Sequence, residues 1–195
     1  LESLPTEDAG DRKTKWLAQA QLLRNGGKAH EALAITHTAL LALPNDVELL
    51  LEQSLLYEKL ARYDEMERVL RLVIGINPDN AHAHNALGYS LADRNLRLDE
   101  AAALIQTAIA LAPEDAFIID SLGWVQFRQG KVEQAAATLR RAWNLRPDPE
   151  IAAHLAEVLW TLGNIDEARQ MLNEAKRLQP DNETLQRTLK RIKLP

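Results

Sequence analysis

The chain has 195 residues, and leucine and alanine together supply about a third of them, a composition that favours helices and argues against all-β and collagen-like folds. Its net charge is −5, from 23 basic and 28 acidic side chains, so no chain-wide basic surface is available for nucleic acid. Cysteine is absent, which excludes disulfides, thiolate catalysis and cysteine-ligated zinc, and no apolar run reaches the roughly 18 residues that a membrane span needs.

A proline recurs about every 34 residues along the chain, at Pro44, Pro78, Pro113, Pro147 and Pro180. A period of this length is typical of repeats that consist of two helices. A short polar residue that can accept the first free N–H groups of a helix follows each proline. These residues are Asn45-Asp46, Asp79-Asn80, Glu114-Asp115, Asp148 and Asp181-Asn182. The pattern predicts an all-α solenoid of antiparallel helix pairs.

The repeat divides the chain into consecutive segments. Residues 1–12 have little apolar content and are expected to be a flexible N-terminal segment. The helix pairs are predicted at 13–46, 47–80, 81–115, 116–148 and 149–181, each with a polar turn between its two helices. Residues 182–195 place Leu185, Leu189 and Ile192 on one side of a helix, so they are predicted to form a C-terminal capping helix.

Two of these units resemble the tetratricopeptide repeat family, whose pattern is W-x2-L-G-x2-Y, then A-x3-F, then P. They read His84-x2-Leu87-Gly88-x2-Leu91 with Ala101-x3-Ile105 and Pro113, and Ile119-x2-Leu122-Gly123-x2-Gln126 with Ala135-x3-Leu139 and Pro147. The resemblance implies a right-handed solenoid in which the first helix of each pair lines a concave groove. It also implies that Gly88 and Gly123 lie where the two helices of a pair meet.

The resemblance places aromatic side chains in the groove only in the last three units. The predicted peptide-binding residues are Tyr89, Phe117, Trp124, Phe127 and Trp160, with Asn85, Asp120 and Arg128 to orient the ligand. Trp124 and Tyr89 are expected to point away from the face that Leu87, Leu91 and Leu122 bury. The alternative, that these aromatics are core residues and the assumed register is wrong, stays open at this point.

The predicted groove is mildly acidic, because it carries Glu48, Glu58, Asp120, Glu150 and Glu157 against Arg24 and Arg128. It lacks the Lys, Asn and Arg set with which some members of the family hold carboxylates. We therefore expect the groove to prefer apolar or basic segments over an acidic tail. The function expected is that of a non-enzymatic scaffold or adaptor with a protein or peptide partner.

No motif for catalysis, a cofactor or a metal is found in the sequence. His30-Glu31 begins an H-E-x-x-H pattern, but Ala34 stands where the second histidine is needed. Ser121 is not in a G-x-S-x-G context, and the glycines do not form a phosphate-binding loop. His37 and His154 stand in no recognisable pattern. The chain is therefore not expected to be an enzyme or to bind a cofactor or metal ion.

Residues 78–175 resemble the C-terminal repeats of proteobacterial outer-membrane lipoproteins, through stretches such as 85–94, 119–125 and 153–160. One group of these lipoproteins brings substrates to a periplasmic carboxyl-terminal processing protease. The resemblance implies a periplasmic protein whose lipid anchor, signal peptide and further repeats precede Leu1, which agrees with the absence of a polar cap at the first repeat. The alternative is a structural subunit of a cell-envelope or secretion complex that assembles through its convex or end surfaces.

Overall fold

The computed structural model describes residues 9–192, and within that range the chain forms eleven helices and no strand. The helices are α1 (Ala9–Asn25), α2 (Ala29–Ala42), α3 (Val47–Lys59), α4 (Tyr63–Ile76), α5 (Ala81–Asp93), α6 (Leu98–Leu111), α7 (Ala116–Arg128), α8 (Val132–Leu145), α9 (Pro149–Thr161), α10 (Ile165–Leu178) and α11 (Glu183–Arg191). Turns of a few residues join α1 to α2, and likewise each later pair up to α9 and α10. The all-α fold of antiparallel helix pairs expected from the sequence is confirmed.

The described residues include only part of the two segments predicted at the ends of the chain. Residues 1–8 and 193–195, which belong to the expected flexible segment and the end of the expected capping helix, lie outside the described residues. Helix α1 begins at Ala9, four residues before the first predicted unit. Asp11 lies in the first turn of that helix, where a negative charge interacts favourably with the free N–H groups.

The polar residues that follow the repeating prolines begin the next helix, as predicted. In each case the side-chain oxygen accepts a backbone N–H from the first turn of the helix, which satisfies a group that has no partner inside the helix. The bonds are Asp46 to Leu49, Asn80 to Ala83, Asp115 to Phe117 and Ile118, Asp148 to Glu150, and Asn182 to Leu185, at 2.8–3.3 Å.

Gly88 and Gly123 lie at the contact between the two helices of a pair, as the resemblance implied. A Cβ atom at Gly88 would lie 2.7 Å from Cγ1 of Ile105 on α6. A Cβ atom at Gly123 would lie 2.5 Å from Cγ of Leu139 on α8. These distances leave no room for a side chain, so the glycines allow the helices to pack at this spacing.

The chain divides into two compact units, residues 1–83 and 84–195, with the boundary inside α5. Unit 1 contains α1 to α4, and its fully buried side chains include Leu49, Leu56, Leu70 and Val73. A charged pair is also held there: Nε of Arg24 lies 2.8 Å from Oε1 of Glu52, whose side chain is buried. The pairing satisfies a carboxylate that would otherwise be buried alone.

Unit 2 contains α6 to α11 and most of α5. One buried cluster joins α8, α9 and α10 through Ala135, Leu139, Leu155, Leu159 and Ala168, and Phe127 and Trp160 pack against it. A second cluster places Leu185 and Ile192, from α11 and its C-terminal end, against small residues of α9 and against α10. None of the described helices is long and apolar enough to cross a membrane.

Candidate functional site

The eight side chains predicted to bind peptide have different environments in unit 2. Phe117 is exposed at the start of α7 and lies under the Arg146 guanidinium, 4.8 Å from its Cζ. Trp124 and Asp120 are buried. The remaining five, which keep part of their surface exposed, are Asn85, Tyr89, Phe127, Arg128 and Trp160. The structure brings Tyr89, Asp120, Trp124, Phe127 and Arg128 into one group of contacts, which is described below.

Trp124, a predicted peptide-binding residue, has no exposed surface, because other side chains of unit 2 cover it, so it is not open to a ligand in this structure. The indole stacks on the imidazole of His154, with ring centroids 4.2 Å apart, and Phe127 lies 5.4 Å away. The guanidinium groups of Arg128 and Arg191 lie over the indole at 5.8 and 5.9 Å. Side chains of α7, α9 and α11 therefore surround the indole.

A chain of polar contacts runs beside this tryptophan and joins α7, α9 and α5. Nδ1 of His154 lies 2.9 and 3.0 Å from the two carboxylate oxygens of Asp120. Nε2 of His154 lies 3.4 Å from the hydroxyl oxygen of Tyr89, and that hydroxyl donates to Oε1 of Glu150 at 3.0 Å. Both imidazole nitrogens thus face oxygen atoms that can accept a hydrogen bond, an arrangement that suits a doubly protonated ring.

The surroundings of these polar contacts raise the pKa of three residues, Asp120, His154 and Tyr89. Burial raises the pKa of Asp120, although the neighbouring His154 acts in the opposite direction. Burial alone would lower the pKa of His154, but the negative charge of Asp120, with smaller contributions from Glu150 and Asp93, raises it. Burial and the Glu150 charge raise the pKa of Tyr89 well above its ordinary value, so its hydroxyl remains a donor.

Helix α11 lies against the same region and pairs its polar side chains with acidic residues. Nη1 of Arg187 lies 2.9 Å from Oδ2 of Asp93, at the end of α5. Nη1 of Arg191 lies 3.2 Å from Oε2 of Glu157 on α9. Thr188 donates to the same Glu157 oxygen at 3.2 Å, and Thr184 donates to Oε1 of Glu150 at 3.1 Å. We use the name inner face for the α5, α7 and α9 side chains in these contacts: Tyr89, Asp93, Asp120, Trp124, Glu150, His154 and Glu157.

Sequence reasoning missed three residues at this site. His154 was given no role, although it contacts Asp120, Tyr89 and Trp124. Arg187 and Arg191 belong to the predicted capping helix, for which the sequence predicts no binding role. A signal for them is present, because the repeat period continues past the last complete unit: Arg191 follows Glu157, a predicted groove residue, by 34 residues, and Arg187 lies one helical turn before it. The period therefore places Arg191 at a groove position, with Arg187 on the same side of the helix.

The side chains of the inner face form ion pairs and hydrogen bonds with one another and with α11. Ser121, the hydroxyl considered as a nucleophile, donates to the Phe117 carbonyl oxygen of its own helix at 3.0 Å. Within residues 9–192 no group of three or more histidine, aspartate or glutamate side chains is arranged to hold a metal ion. The buried carboxylates are instead matched by arginine, histidine and hydroxyl donors, which is how a protein surface recognises a charged segment.

Comparison with known proteins agrees with the repeat pattern. Sequence profiles described as tetratricopeptide repeat match residues 47–80, 64–116 and 128–192, which together make up more than half of the chain. A TPR repeat-containing protein of Pseudomonas aeruginosa is 45% identical over 142 residues, which are 73% of this chain and 24% of that protein. A TPR repeat-containing protein of Treponema pallidum is 33% identical over 117 residues, 60% of this chain and 14% of that protein. The chain thus spans about a quarter or less of these relatives.

Solved structures share the fold at lower sequence identity. A thermophilic TPR protein of Thermus thermophilus superposes with a TM-score of 0.80 at 23% identity, covering 93% of this chain and 99% of that one. YrrB, described as a TPR protein with an unusual peptide-binding site, has a TM-score of 0.57 at 19% identity, covering 90% of each chain. The repeat motif, the helix pairs and the matched profiles lead to one conclusion: the chain belongs to the tetratricopeptide repeat family.

Proposed function

We propose that this chain is an adaptor that binds a segment of a partner protein on the inner face of unit 2 and at its exposed border. Proteins of the family generally mediate protein–protein interactions. The observation that supports this location is the occupancy of the inner face by α11, through ion pairs to Asp93 and Glu157 and a hydrogen bond to Glu150. A surface that holds one helical segment by side-chain contacts has the properties needed to hold another.

The eight predicted residues have two different roles in this proposal. The exposed or partly exposed side chains, Phe117, Phe127, Trp160, Tyr89, Asn85 and Arg128, touch the partner, because aromatic and arginine side chains supply most of the affinity at protein interfaces. Trp124 and Asp120 are buried, so they hold His154 and the arginines in place without touching the partner. The acidic groups Asp93, Glu150 and Glu157 favour a basic partner segment.

A more specific form of the proposal follows from the resemblance to outer-membrane lipoproteins. In that form the partner segment belongs to a substrate, and the chain presents it to a periplasmic carboxyl-terminal processing protease. The test is the rate at which the purified protease degrades a candidate substrate with and without this chain. We expect faster degradation with the parent chain than with a variant that cannot bind on the inner face. An equal rate with and without the chain contradicts the protease role but leaves the adaptor role in place.

The location of the binding surface is tested by photocrosslinking in cells of the organism that encodes the chain. The photoreactive residue p-benzoyl-phenylalanine replaces Phe127, at the border of the inner face, or Leu111, an exposed residue at the end of α6. We expect the Phe127 position to capture a partner protein and the Leu111 position to capture none. Capture from Leu111 alone contradicts the proposal and favours an assembly subunit that uses its outer surface.

The captured partner is then purified and titrated against matched variants. Trp160→Ala is expected to weaken its binding about thirtyfold, since truncation of an aromatic residue that anchors an interface typically costs about 2 kcal/mol. Leu111→Ala is expected to change the affinity less than about threefold. Equal affinities of the parent chain and of folded Trp160→Ala would place the interface elsewhere.

A further inference from the structure

We propose that the inner face is an acceptor for an amphipathic helix with two basic residues four positions apart, and that α11 is a resident helix which such a partner segment displaces. This inference rests on the proposed function, because it names the chemistry of the segment that the adaptor binds. The helix that occupies the inner face in place of α11 is a segment of a partner protein. A second copy of this chain is an outcome that the experiment below distinguishes.

The acidic residues of the inner face match the spacing of the two arginines of α11. Arg187 and Arg191 are one helical turn apart, so their side chains point in the same direction. Each reaches a carboxylate on a different helix, Asp93 at the end of α5 and Glu157 on α9. The Glu157 side chain is only 11% exposed. Without α11, the carboxylates of Asp93 and Glu157 would attract cations. We therefore expect these two acids to select helices that carry two basic residues four positions apart.

The apolar side of α11 is matched by small residues. Leu185 and Ile192 are buried against Ala152, Ala153 and Ala156 of α9. Alanine side chains allow a helix to approach closely and leave space for larger apolar side chains from that helix. These contacts predict the sequence pattern of the ligand helix. An apolar residue stands two positions before the first basic residue, as Leu185 stands before Arg187. A second apolar residue directly follows the second basic residue, as Ile192 follows Arg191.

Helix α11 is short, and the arginines of its two ion pairs are partly exposed to water. It contains nine residues, fewer than the roughly 12 to 15 that an isolated helix needs to persist in water. Its two arginine side chains are 46% and 40% exposed, and exposed ion pairs contribute little because water competes for them. Local opening of such a terminal segment requires much less than global unfolding.

The direction of α11 is also set by its contacts. Thr184 contacts Glu150 and Arg191 contacts Glu157, so α11 runs in the same direction as α9. Trp160, near the end of α9, packs against the cluster that contains Leu185 and Ile192. A partner helix that displaces α11 must therefore run in this direction and carry apolar residues at the positions of Leu185 and Ile192.

The experiment uses the full chain and a fluorescein-labelled peptide with the sequence of residues 181–192. The parent chain is compared with a variant that carries Arg187→Glu and Arg191→Glu, which weakens only its own α11. We expect this variant to bind the peptide at least tenfold more tightly, because the competing helix no longer occupies the site. Adding Asp93→Asn and Glu157→Gln to the variant should return binding to the weak level of the parent.

A control peptide carries the same two arginine-to-glutamate changes. If it binds as well as the unaltered peptide, or if the double variant gains no affinity, the inference is wrong. Should the variant not fold, hydrogen exchange of the parent gives the same test: excess peptide must accelerate exchange in residues 183–191, and unchanged exchange overturns the inference. Light scattering that shows a dimer dissociated by the peptide identifies a second copy as the occupant, which also overturns it.

The inference and the proposed function fail in different ways. If photocrosslinking from position 127 captures a partner but the peptide does not bind, the adaptor site stands and its ligand has another chemistry. If the peptide behaves as expected but the partner crosslinks only from Leu111, the inner face binds basic helices and the proposed function is wrong.

Discussion

Gly123 lies so close to Leu139 that a Cβ atom on the glycine would be 2.5 Å from Leu139 Cγ. Leu139 is fully buried and cannot move away freely, so Gly123→Ala forces α7 and α8 apart. We expect this change to lower the free energy of unfolding by about 1–3 kcal/mol, the usual range for an overpacked core. Urea denaturation followed by circular dichroism measures the loss.

A matched control for this change exists in α4. A Cβ atom added at Gly75 meets no atom within 4 Å, and alanine is the better helix former. Gly75→Ala is therefore expected to leave the free energy of unfolding unchanged or to raise it by up to about 1 kcal/mol. If Gly123→Ala were as stable as Gly75→Ala, α7 and α8 would pack less tightly in solution than the Gly123–Leu139 distance implies.

Trp124→Ala is expected to act mainly on stability. The indole is fully buried between His154, Phe127 and two guanidinium groups, so its removal leaves a large cavity. The free energy of unfolding should fall by about 3–5 kcal/mol. Trp160→Ala, at a partly exposed position, should cost clearly less. A Trp124→Ala chain that melts with the parent would show that the indole is not buried in solution.

The His154 imidazole should titrate above the ordinary value of about 6.5, because the Asp120 carboxylate outweighs the effect of burial on its pKa. Protonation of this ring then stabilises the fold fully below pH 6.5, and the contribution is lost as the pH rises through the raised pKa. In Asp120→Asn the pKa should be lower and the free energy of unfolding should change less between pH 6 and pH 8.

Two measurements check the His154 prediction. Proton–carbon NMR gives the pKa of the ring in the parent and in Asp120→Asn, and urea denaturation at several pH values gives the stability of each. An unchanged His154 pKa in Asp120→Asn would mean that the carboxylate does not govern this ring.

Asp115 begins α7 by accepting the N–H groups of Phe117 and Ile118. Asp115→Ala removes this cap and is expected to lower the free energy of unfolding by about 1 kcal/mol. Asp115→Asn keeps an acceptor oxygen and should cost less than half as much. Thermal melting of the two variants at low and high salt distinguishes the hydrogen bond from the charge, because salt weakens only the contribution of the charge.

The helix caps and the contacts within one helix pair could be predicted from the sequence, because they depend on residues that are close together along the chain. Asp115 caps α7 because a proline and a polar residue recur at a fixed point of each repeat, and Gly88 lies against Ile105 because its motif specifies a close contact within one pair. The burial of Trp124 could not be predicted in this way. It depends on His154 and Arg191, which are 30 and 67 residues further along the chain, and the repeat pattern does not give the distance between first helices of different pairs.

The ion pair between Asp93 and Arg187 has a consequence for the order of events during synthesis. The two residues are 94 positions apart. At about 5 to 20 residues per second, a ribosome adds Arg187 roughly 5 to 20 seconds after Asp93. Glu157, the last acidic residue of the inner face, is added about 2 to 7 seconds before Arg191, because 34 residues separate them. During that interval the acidic residues of the inner face lack the two arginines that pair with them in the finished chain. The proposed competition between α11 and a basic partner helix therefore begins only when synthesis of the chain is almost complete.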